Sequence, residues 1–550
     1  MQKSWFPPAR FGMFVHFGLY ALHGGNENDV AHMPKAEYEK LIHRFDPVQF
    51  NAEEWVQVAE QGGARYIILT SKHGEGFCLW DTDQSAYKIS NTPFKRDLVS
   101  ELARACHKRG MKFGLYYSLS DLHYAEPGEG TPEARTYRGY VKAQLQELLG
   151  RYGRIDAIWF DGADQRLPPA FIKNIIALIH KLQPGCVVND RGLPFNNYLN
   201  YINYGGFVTP ERYFPDYLAD KHAMVECCDS MGQRSWGYDR QDFFWSGPEL
   251  IRRLSKTASL GSNYLLNVGP MPNGKISPAC VERLRAIGQW LKINANAIFN
   301  TASSLLVPRD NSLADLPPIG VATRSKRMLY LHLHSWPCGD TLILKHVKGR
   351  VLSVRLLGYK HALAPETTAA GLLLRGLPCR PANAEPAIVK IEFAGHWNEN
   401  KVQIRNDRHP IVRVVPGVGA FLRPEQAEFR ARNGVPAQQV ARLFGMNPHI
   451  VRMFRTDQEI IWRIRNDKEG LYGVFVESGI SKGTAFSINI ARQTLNVKNT
   501  VTDGAIIARR AGSARVPVGL HAVIFKVTDF ADTSFYPGIF GVVLRPVSPK

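Results

Sequence analysis

The sequence contains no apolar run that approaches about 18 residues, the length at which a membrane-spanning helix becomes a candidate. Its first residues, Met1–Pro8, also lack the apolar core of a secretion signal. These two absences predict a soluble protein with no membrane partner. They favour a location in the cytoplasm, or a secreted or periplasmic one if a leader has been removed.

Cysteine is scarce and irregularly placed. The eight cysteines form no CxxC pair and show no regular spacing, and Cys227 and Cys228 are adjacent. Disulfide-rich domains and zinc sites both need recurring spacings, so neither class is indicated. We therefore predict no metal site.

Acidic residues are outnumbered, and the formal net charge is +19. Residues 401–550 contain 22 Lys and Arg against 11 Asp and Glu, so this stretch supplies +11 of the total without any run of five like charges. No nucleic-acid-binding motif accompanies the charge. We predict a scattered, solvated basic surface and no nucleic-acid partner, while homo-oligomer formation stays open.

The 550 residues are too many for one core, and their patterning divides them into three parts. Residues 1–298 alternate eight short apolar strands with amphipathic helical stretches, which predicts a (β/α)8-type barrel because no Gly-rich dinucleotide loop follows the first strand. We expect its last three units to be short of helix and the barrel to be irregular there. Residues 299–397 and 398–550 have the alternating pattern of antiparallel strands and predict two β-sandwiches.

Polar or aromatic side chains follow the predicted barrel strands. Since the C-terminal ends of barrel strands carry the active site, these side chains are candidate functional residues. They are His16, His73, Tyr117, Asp161, Arg191, Glu211 and Trp236. Taken singly, Asp161 could equally cap a helix, and His16 and Trp236 are more often core residues.

Two carboxyl groups that flank one bond are what glycoside hydrolysis needs, and retaining enzymes place them roughly 5–5.5 Å apart. Asp161 and Glu211 follow strands four and six, close enough around the rim for that separation. We choose Asp161 and Glu211 as this pair. Glu226 on strand seven is the rival acid/base, and Asp164 and Asp190 are weaker rivals.

Seven segments, in order along residues 5–297, resemble α-L-fucosidases of glycoside hydrolase family 29. They are FGMFVHFG at Phe11–Gly18, SKHGEGFCLWD at Ser71–Asp81, GLYYS at Gly114–Ser118, WFDG at Trp159–Gly162, NDR at Asn189–Arg191, TPE at Thr209–Glu211 and LLNVGP at Leu265–Pro270. Residues 299–395 are similar to the β-sandwich that follows the family's barrel. The last 150 residues resemble galactose-binding-like sandwiches of glycosidases, which bind glycan or pack against the barrel, and packing is slightly favoured.

The resemblance implies a retaining exo-glycosidase that removes terminal α-L-fucosyl groups from a fucosylated oligosaccharide or glycoconjugate without a cofactor. It implies that Asp161 is the nucleophile and Glu211 the acid/base, although the acid/base assignment varies between subgroups. The other five candidates match family residues around the sugar. These are His16 and His73 on the sugar hydroxyls, Tyr117 near the nucleophile, Arg191 beside the acid/base, and Trp236 on the methyl-bearing face of fucose.

Two departures from the family pattern fall in the sugar site. Gly74 stands where members usually have a second histidine, and the segment Glu27–Asp29 has no Trp where a Glu-Trp pair is common. Both losses remove sugar contacts and leave the catalytic pair intact. They predict lower affinity or a shifted specificity, such as an α-L-galactoside or a modified fucoside, and they keep open a catalytically weak carbohydrate-binding protein.

Overall fold

The structure, a computed structural model, describes most of the barrel half of the chain and the strands of the rest. The described residues are 5–27, 29, 33–124, 132–164, 166–192, 206–212, 214, 224–242, 244–303, 320–334, 341–345, 347, 349–360, 362–369, 371–378, 386–395, 397, 403–405, 411–414, 420–422, 428–431, 438–439, 451–452, 458–466, 468–479, 484–498, 507–529 and 538–547. Two compact units divide the chain between residues 302 and 303. Among the described residues, no helix has both the length and the apolarity to cross a membrane.

Eight parallel strands form the first unit into a barrel, as the sequence predicts. They are β1 Phe11–Val15, β2 Tyr66–Lys72, β3 Lys112–Ser118, β4 Ala157–Asp161, β5 Val187–Val188, β6 Phe207–Val208, β7 Met224–Ser230 and β8 Asn263–Val268. Their hydrogen-bonded order is β5-β4-β3-β2-β1-β8-β7-β6. A parallel bridge between Asn189 and Phe207 joins the two ends of this order and closes the barrel.

Helices cover the outside of the barrel. They are α1 Phe6–Ala9, α2 Tyr20–His23, α3 Lys35–Glu39, α4 Ala52–Gly62, α5 Leu98–Lys108, α6 Pro132–Arg151, α7 Pro169–Leu182, α8 Gly247–Ser259 and α9 Pro278–Asn294. Side-chain caps fix where several of them begin: the Asp97 carboxylate accepts from the Ser100 amide at 2.7 Å at the start of α5.

The prediction that the last units lack helices was wrong for the final two, because α8 follows β7 and α9 follows β8. Helix α8 carries ordinary helix signals that the prediction overlooked: a Ser246 cap and buried apolar residues at helical spacing, beside three buried charged side chains. Glu249 pairs with both Arg252 and Arg253, and Arg253 also reaches Asp229 on β7. These buried ion pairs add to the apolar stripe of Leu250, Ile251 and Leu254 and join α8 to β7.

Alternation along the strands decides which side chains face the barrel interior. One apolar cluster contains Phe14 of β1, Tyr66 of β2, Tyr116 of β3 and Trp159 of β4. A side chain at Gly12 would overlap the Tyr66 ring, so only glycine lets this ring cross the interior. The interior is a packed stack of aromatic rings beneath the C-terminal rim.

The second unit contains two antiparallel sandwiches. The first is built from β9 Ala302–Ser303, β10 Gly320–Ser325, β11 Met328–Leu333, β12 Thr341–Lys345, β13 Val351–Leu356, β14 Ala364–Thr368, β15 Gly371–Arg375, β16 Ala387–Phe393 and β17 Gln403–Arg405. Its sheets run β13-β16-β11-β10-β9 and β14-β15-β12-β17 and share one apolar core. Since β17 pairs with β12, this sandwich continues past the boundary predicted at residue 397.

The second sandwich has two six-stranded sheets around a core that includes Trp462, Phe486 and Phe525. Strand β18 runs parallel to β23, while the other pairings are antiparallel. The strands are β18 Ile411–Val414, β19 Ala420–Leu422, β20 Glu428–Ala431, β21 Gln438–Gln439, β22 Val451–Arg452, β23 Gln458–Asn466, β24 Gly470–Gly479, β25 Ala485–Ile490, β26 Gln493–Lys498, β27 Ile507–Val516, β28 Gly519–Asp529 and β29 Gly538–Pro546.

Candidate active site

Two partly exposed carboxylates meet one guanidinium at the C-terminal rim of the barrel. Asp161 ends β4, and its Oδ1 lies 3.2 Å from Arg191 Nη1. Glu211 follows β6 beside Cys228 of β7, and its Oε2 lies 2.8 Å from the same nitrogen. Because one atom lies within 3.2 Å of both oxygens, the two carboxylates approach to about 6 Å or less. Retaining glycosidases place their carboxyl groups roughly 5–5.5 Å apart, a separation with which this close approach is compatible.

Arg191 is held rigidly where it contacts both acids. Its Nε donates to Thr209 Oγ1 at 2.9 Å and its Nη2 to the Thr209 carbonyl at 3.1 Å. Burial alone would lower the pKa of Arg191, but the Cys228 thiol and the carboxylates of Asp161 and Glu211 outweigh that effect and raise it. The side chain therefore stays charged, and its contacts fix it between the two acids.

The rival acids sit in other surroundings. Glu226 is fully buried, and burial raises its pKa to about 7. Asp190 accepts from the Thr209 amide and hydroxyl, and burial raises its pKa too. Asp164 is paired with Arg166. A general acid must reach the leaving oxygen, so the exposed Glu211 side chain, 41% accessible, is better placed than any of these.

His16 presents a hydrogen-bond acceptor to the site. Its Nδ1 lies 2.7 Å from Asn267 Oδ1, and the Asn267 amide nitrogen donates to the Trp236 carbonyl at 2.6 Å, which fixes the orientation of that amide. Nδ1 must therefore carry the hydrogen. Burial, and then the neighbouring His73, lower the pKa of His16, so its ring is neutral and Nε2 is left as an acceptor.

His73 presents a donor instead. Burial would lower its pKa, but the hydrogen bond and charge of Glu75, 3.2 Å from Nδ1, raise it overall, with Asp161 adding to the effect. The two imidazoles lie 5.8 Å apart between ring centroids. Together they place two imidazole rings at one side of the site, where they can bind adjacent hydroxyl groups of a sugar.

We predicted Tyr117 near the nucleophile, and that prediction was wrong. The tyrosine that lies there is Tyr116. Tyr116 faces the interior beside Trp159, and its hydroxyl donates to Asp161 Oδ2 at 3.0 Å. Tyr117 faces outward, and its hydroxyl donates to Gln144 of α6 at 2.7 Å. Ser118 of β3 is paired with Asp161 of β4. Successive strand residues point to opposite faces, so Tyr116, two residues before Ser118, shares the face of Asp161, and Tyr117 does not.

Trp236 forms an aromatic wall of the site, and Glu27 holds it there. The Trp236 ring lies 5.1 Å from the His16 ring, and the Arg212 guanidinium lies 5.1 Å from its centroid. Glu27 Oε2 accepts from the Trp236 amide at 2.8 Å and from the Ser235 hydroxyl. Glu27 is thus a buried residue that holds Trp236 in position. We noted it in the sequence only because no Trp follows it. Asn28 lies outside the described residues.

Gly74 leaves an open polar space at the rim. A Cβ atom there would meet only the hydroxyl oxygens of Ser118 and Ser120, each at 3.9 Å. Its backbone is not in the left-handed region, so neither packing nor conformation requires glycine. The space that a side chain at position 74 would occupy is therefore open.

The chain is similar to α-L-fucosidases in sequence and in structure. The family model described as Alpha-L-fucosidase matches residues 1–296. Tissue alpha-L-fucosidase of Mus musculus is 30% identical over 432 residues, 72% of this chain and 92% of the mouse protein. Alpha-L-fucosidase isoenzyme 1 from Paenibacillus thiaminolyticus superimposes with a TM-score of 0.63 and 28% identity, over 71% of this chain and 98% of that one. A Bacteroides thetaiotaomicron fucosidase trapped as a covalent intermediate with 2-fluoro-fucosyl fluoride superimposes with a TM-score of 0.63 and 25% identity. The match covers 71% of this chain and 95% of that one.

Proposed function

The chain belongs to the α-L-fucosidase family, and from that membership we propose how its side chains divide the work of hydrolysis. It is a retaining glycoside hydrolase that removes terminal α-L-fucosyl groups by double displacement. The comparisons lend no support to an α-L-galactosidase or to a protein that only binds sugar. As natural substrate we propose a fucosylated oligosaccharide or glycoconjugate.

One observation carries the pairing of the two acids: Arg191 Nη1 contacts the carboxylates of both Asp161 and Glu211. Glu211 protonates the glycosidic oxygen while Asp161 Oδ attacks the anomeric carbon, so that the C1–O bond breaks and a β-linked fucosyl ester of Asp161 forms. Glu211, now ionised, takes a proton from water, which attacks C1 from the vacated side and releases α-L-fucose. Neither step requires a cofactor.

The surrounding side chains support a bound 6-deoxy sugar. Nε2 of His16 accepts from one hydroxyl and Nε2 of His73 donates to another, while the Trp236 ring covers the C5 methyl group. The space beside Gly74 removes one contact that family members usually make. A lost hydrogen bond of this kind is worth about 0.5–1.5 kcal/mol, so we expect weaker binding of the fucosyl ring than in members with the second histidine.

Proton NMR of the reaction mixture tests the proposed chemistry. During hydrolysis of an aryl α-L-fucoside, we expect the α anomer of L-fucose to appear first and the β anomer to follow only by mutarotation, because two inversions restore the configuration. Mutarotation of authentic α-L-fucose under the same conditions is the control. Early appearance of the β anomer would contradict the double displacement.

Replacing Tyr116 with Phe tests which tyrosine serves the nucleophile. We expect Tyr116→Phe to lower kcat for an aryl α-L-fucoside about 10- to 150-fold, because a hydrogen bond to a charged group contributes roughly 1.5–3 kcal/mol. Tyr117→Phe is the matched control: it breaks only the bond to Gln144, so it should lower the thermal midpoint and leave kcat unchanged. Equal kinetic losses in the two variants would contradict the assignment.

A further inference from the structure

Glu226 lies inside the barrel, beneath the two candidate catalytic carboxylates. It is paired in register with Asn263, the first residue of β8, whereas Glu211 bridges to Cys228, two positions further along β7. The Glu226 side chain has no solvent exposure. It therefore cannot touch the substrate, and a proton carried by it has no direct path to the leaving oxygen.

Two hydrogen-bond donors of the barrel interior converge on this carboxyl. Trp159 Nε1 donates to Oε1 at 3.0 Å, and the Tyr66 hydroxyl donates to Oε2. Both donors are themselves almost fully buried. Removing the carboxyl would leave each of them without this acceptor.

The Trp159 indole in turn supports both groups that bind the nucleophile. Its ring stacks on Tyr116, with centroids 5.5 Å apart and planes 19° from parallel. The Arg191 guanidinium, which also contacts Asp161, lies over the Trp159 ring, 4.6 Å from the ring centroid. Tyr116 and Arg191 donate to Oδ2 and Oδ1 of Asp161, respectively, so the indole is a shared support for the two donors.

We propose that Glu226 is a positioning residue for the reaction, which acts by fixing the Trp159 indole so that Tyr116 and Arg191 hold the Asp161 carboxylate in line for attack. The inference rests on the proposed role of Asp161 as nucleophile. It assigns a function to the buried acid that the two-carboxylate mechanism leaves unused.

The surroundings of Glu226 explain why an acid stands there. An apolar side chain of similar size would fill the space but would leave the indole N–H without an acceptor, free to tilt. Burial raises the pKa of Glu226 to about 7, while the hydrogen bonds of Tyr66 and Trp159 and the charge of Arg191 oppose that rise. The fold thus retains a costly buried carboxyl, which favours a role in orientation over one in stability.

Four variants test the inference, with thermal unfolding measured for each. We expect Glu226→Ala and Trp159→Phe to lower kcat about 100-fold, as a misplacement of about 1 Å does in other enzymes, with KM and inhibition by L-fucose unchanged. Glu226→Gln keeps an acceptor for Trp159 and should recover most of that loss. Tyr66→Phe removes the other donor to the same carboxyl but leaves the indole in place, so kcat should stay at the wild-type value.

The double variant of Glu226→Ala with Trp159→Phe gives the decisive comparison. If Glu226 acts through Trp159, the pair should be no slower than the slower single variant. Additive losses, or a loss in Glu226→Ala that grows as the leaving group becomes poorer, would overturn the inference. If Glu226→Ala does not fold, Trp159→Phe with an unchanged kcat would overturn it equally. An inactive wild type would overturn the proposed function itself, whereas an active wild type with an unaffected Glu226→Ala would overturn this inference alone.

Discussion

Asp161→Gly should lower kcat for an aryl α-L-fucoside by on the order of 10⁴- to 10⁶-fold, the scale on which loss of a covalent nucleophile acts in other hydrolases. Added azide should restore turnover, because the deleted carboxylate leaves a space beneath the anomeric carbon that a small anion can enter. Attack from that side inverts the configuration once. The product should therefore be β-L-fucosyl azide, which NMR distinguishes from the α anomer.

Asp164→Asn is a matched control for this variant. Asp164 lies three residues from Asp161 in the same rim loop, but its carboxylate is paired with Arg166. Its loss should leave kcat unchanged and should not create sensitivity to azide. Formation of α-L-fucosyl azide by Asp161→Gly, or no azide product at all, would refute the assignment of the nucleophile.

Glu211→Ala should show a loss that depends on the leaving group. For a fucosylated oligosaccharide, whose departing alcohol must be protonated, we expect kcat/KM to fall about 10²- to 10⁴-fold. For a dinitrophenyl α-L-fucoside, whose departing phenolate needs no proton, formation of the fucosyl ester should slow little and the ester should accumulate. Azide then attacks the ester from the leaving-group side, so the product should be α-L-fucosyl azide.

The opposite azide anomers expected from Asp161→Gly and Glu211→Ala separate the two roles within one assay. Glu226→Gln is the control for the rival acid: it should give no azide product and no dependence on the leaving group. If Glu211→Ala loses the same factor on both substrates, Glu211 is not the acid. The same dependence seen in Glu226→Gln would instead assign that role to Glu226.

Much of the barrel could be predicted because short apolar strands and their turn residues are local signals. All eight strands were found, but at the end of β3 the wrong one of two adjacent tyrosines was chosen. Helix α8 was missed although Ser246 caps it and Leu250 and Leu254 begin an apolar face; only its buried ion pairs needed the folded neighbours to be seen. The choice of Tyr116 over Tyr117 depends on the register of β3 with β4, which pairs Tyr116 with Trp159 and which the sequence does not give.

Depth within the barrel could not be read from the sequence. Glu226 and Glu211 both belong to strand regions at one side of the site, and their spacing along the chain gives no indication that one is enclosed and the other exposed. The difference follows from the register of β7 with β8, which is set by packing over the whole barrel. Location in the cytoplasm likewise stays a prediction.

The contact of Arg191 with two acids has a consequence for the order of events. With both acids ionised the trio carries one surplus negative charge, which a positively charged anomeric carbon cancels as the glycosidic bond opens. Once Asp161 is esterified it is neutral, and the guanidinium faces Glu211 alone. In this half of the cycle the cation stays beside the acid that must take a proton from water. One fixed cation can thus serve both halves of the cycle without moving.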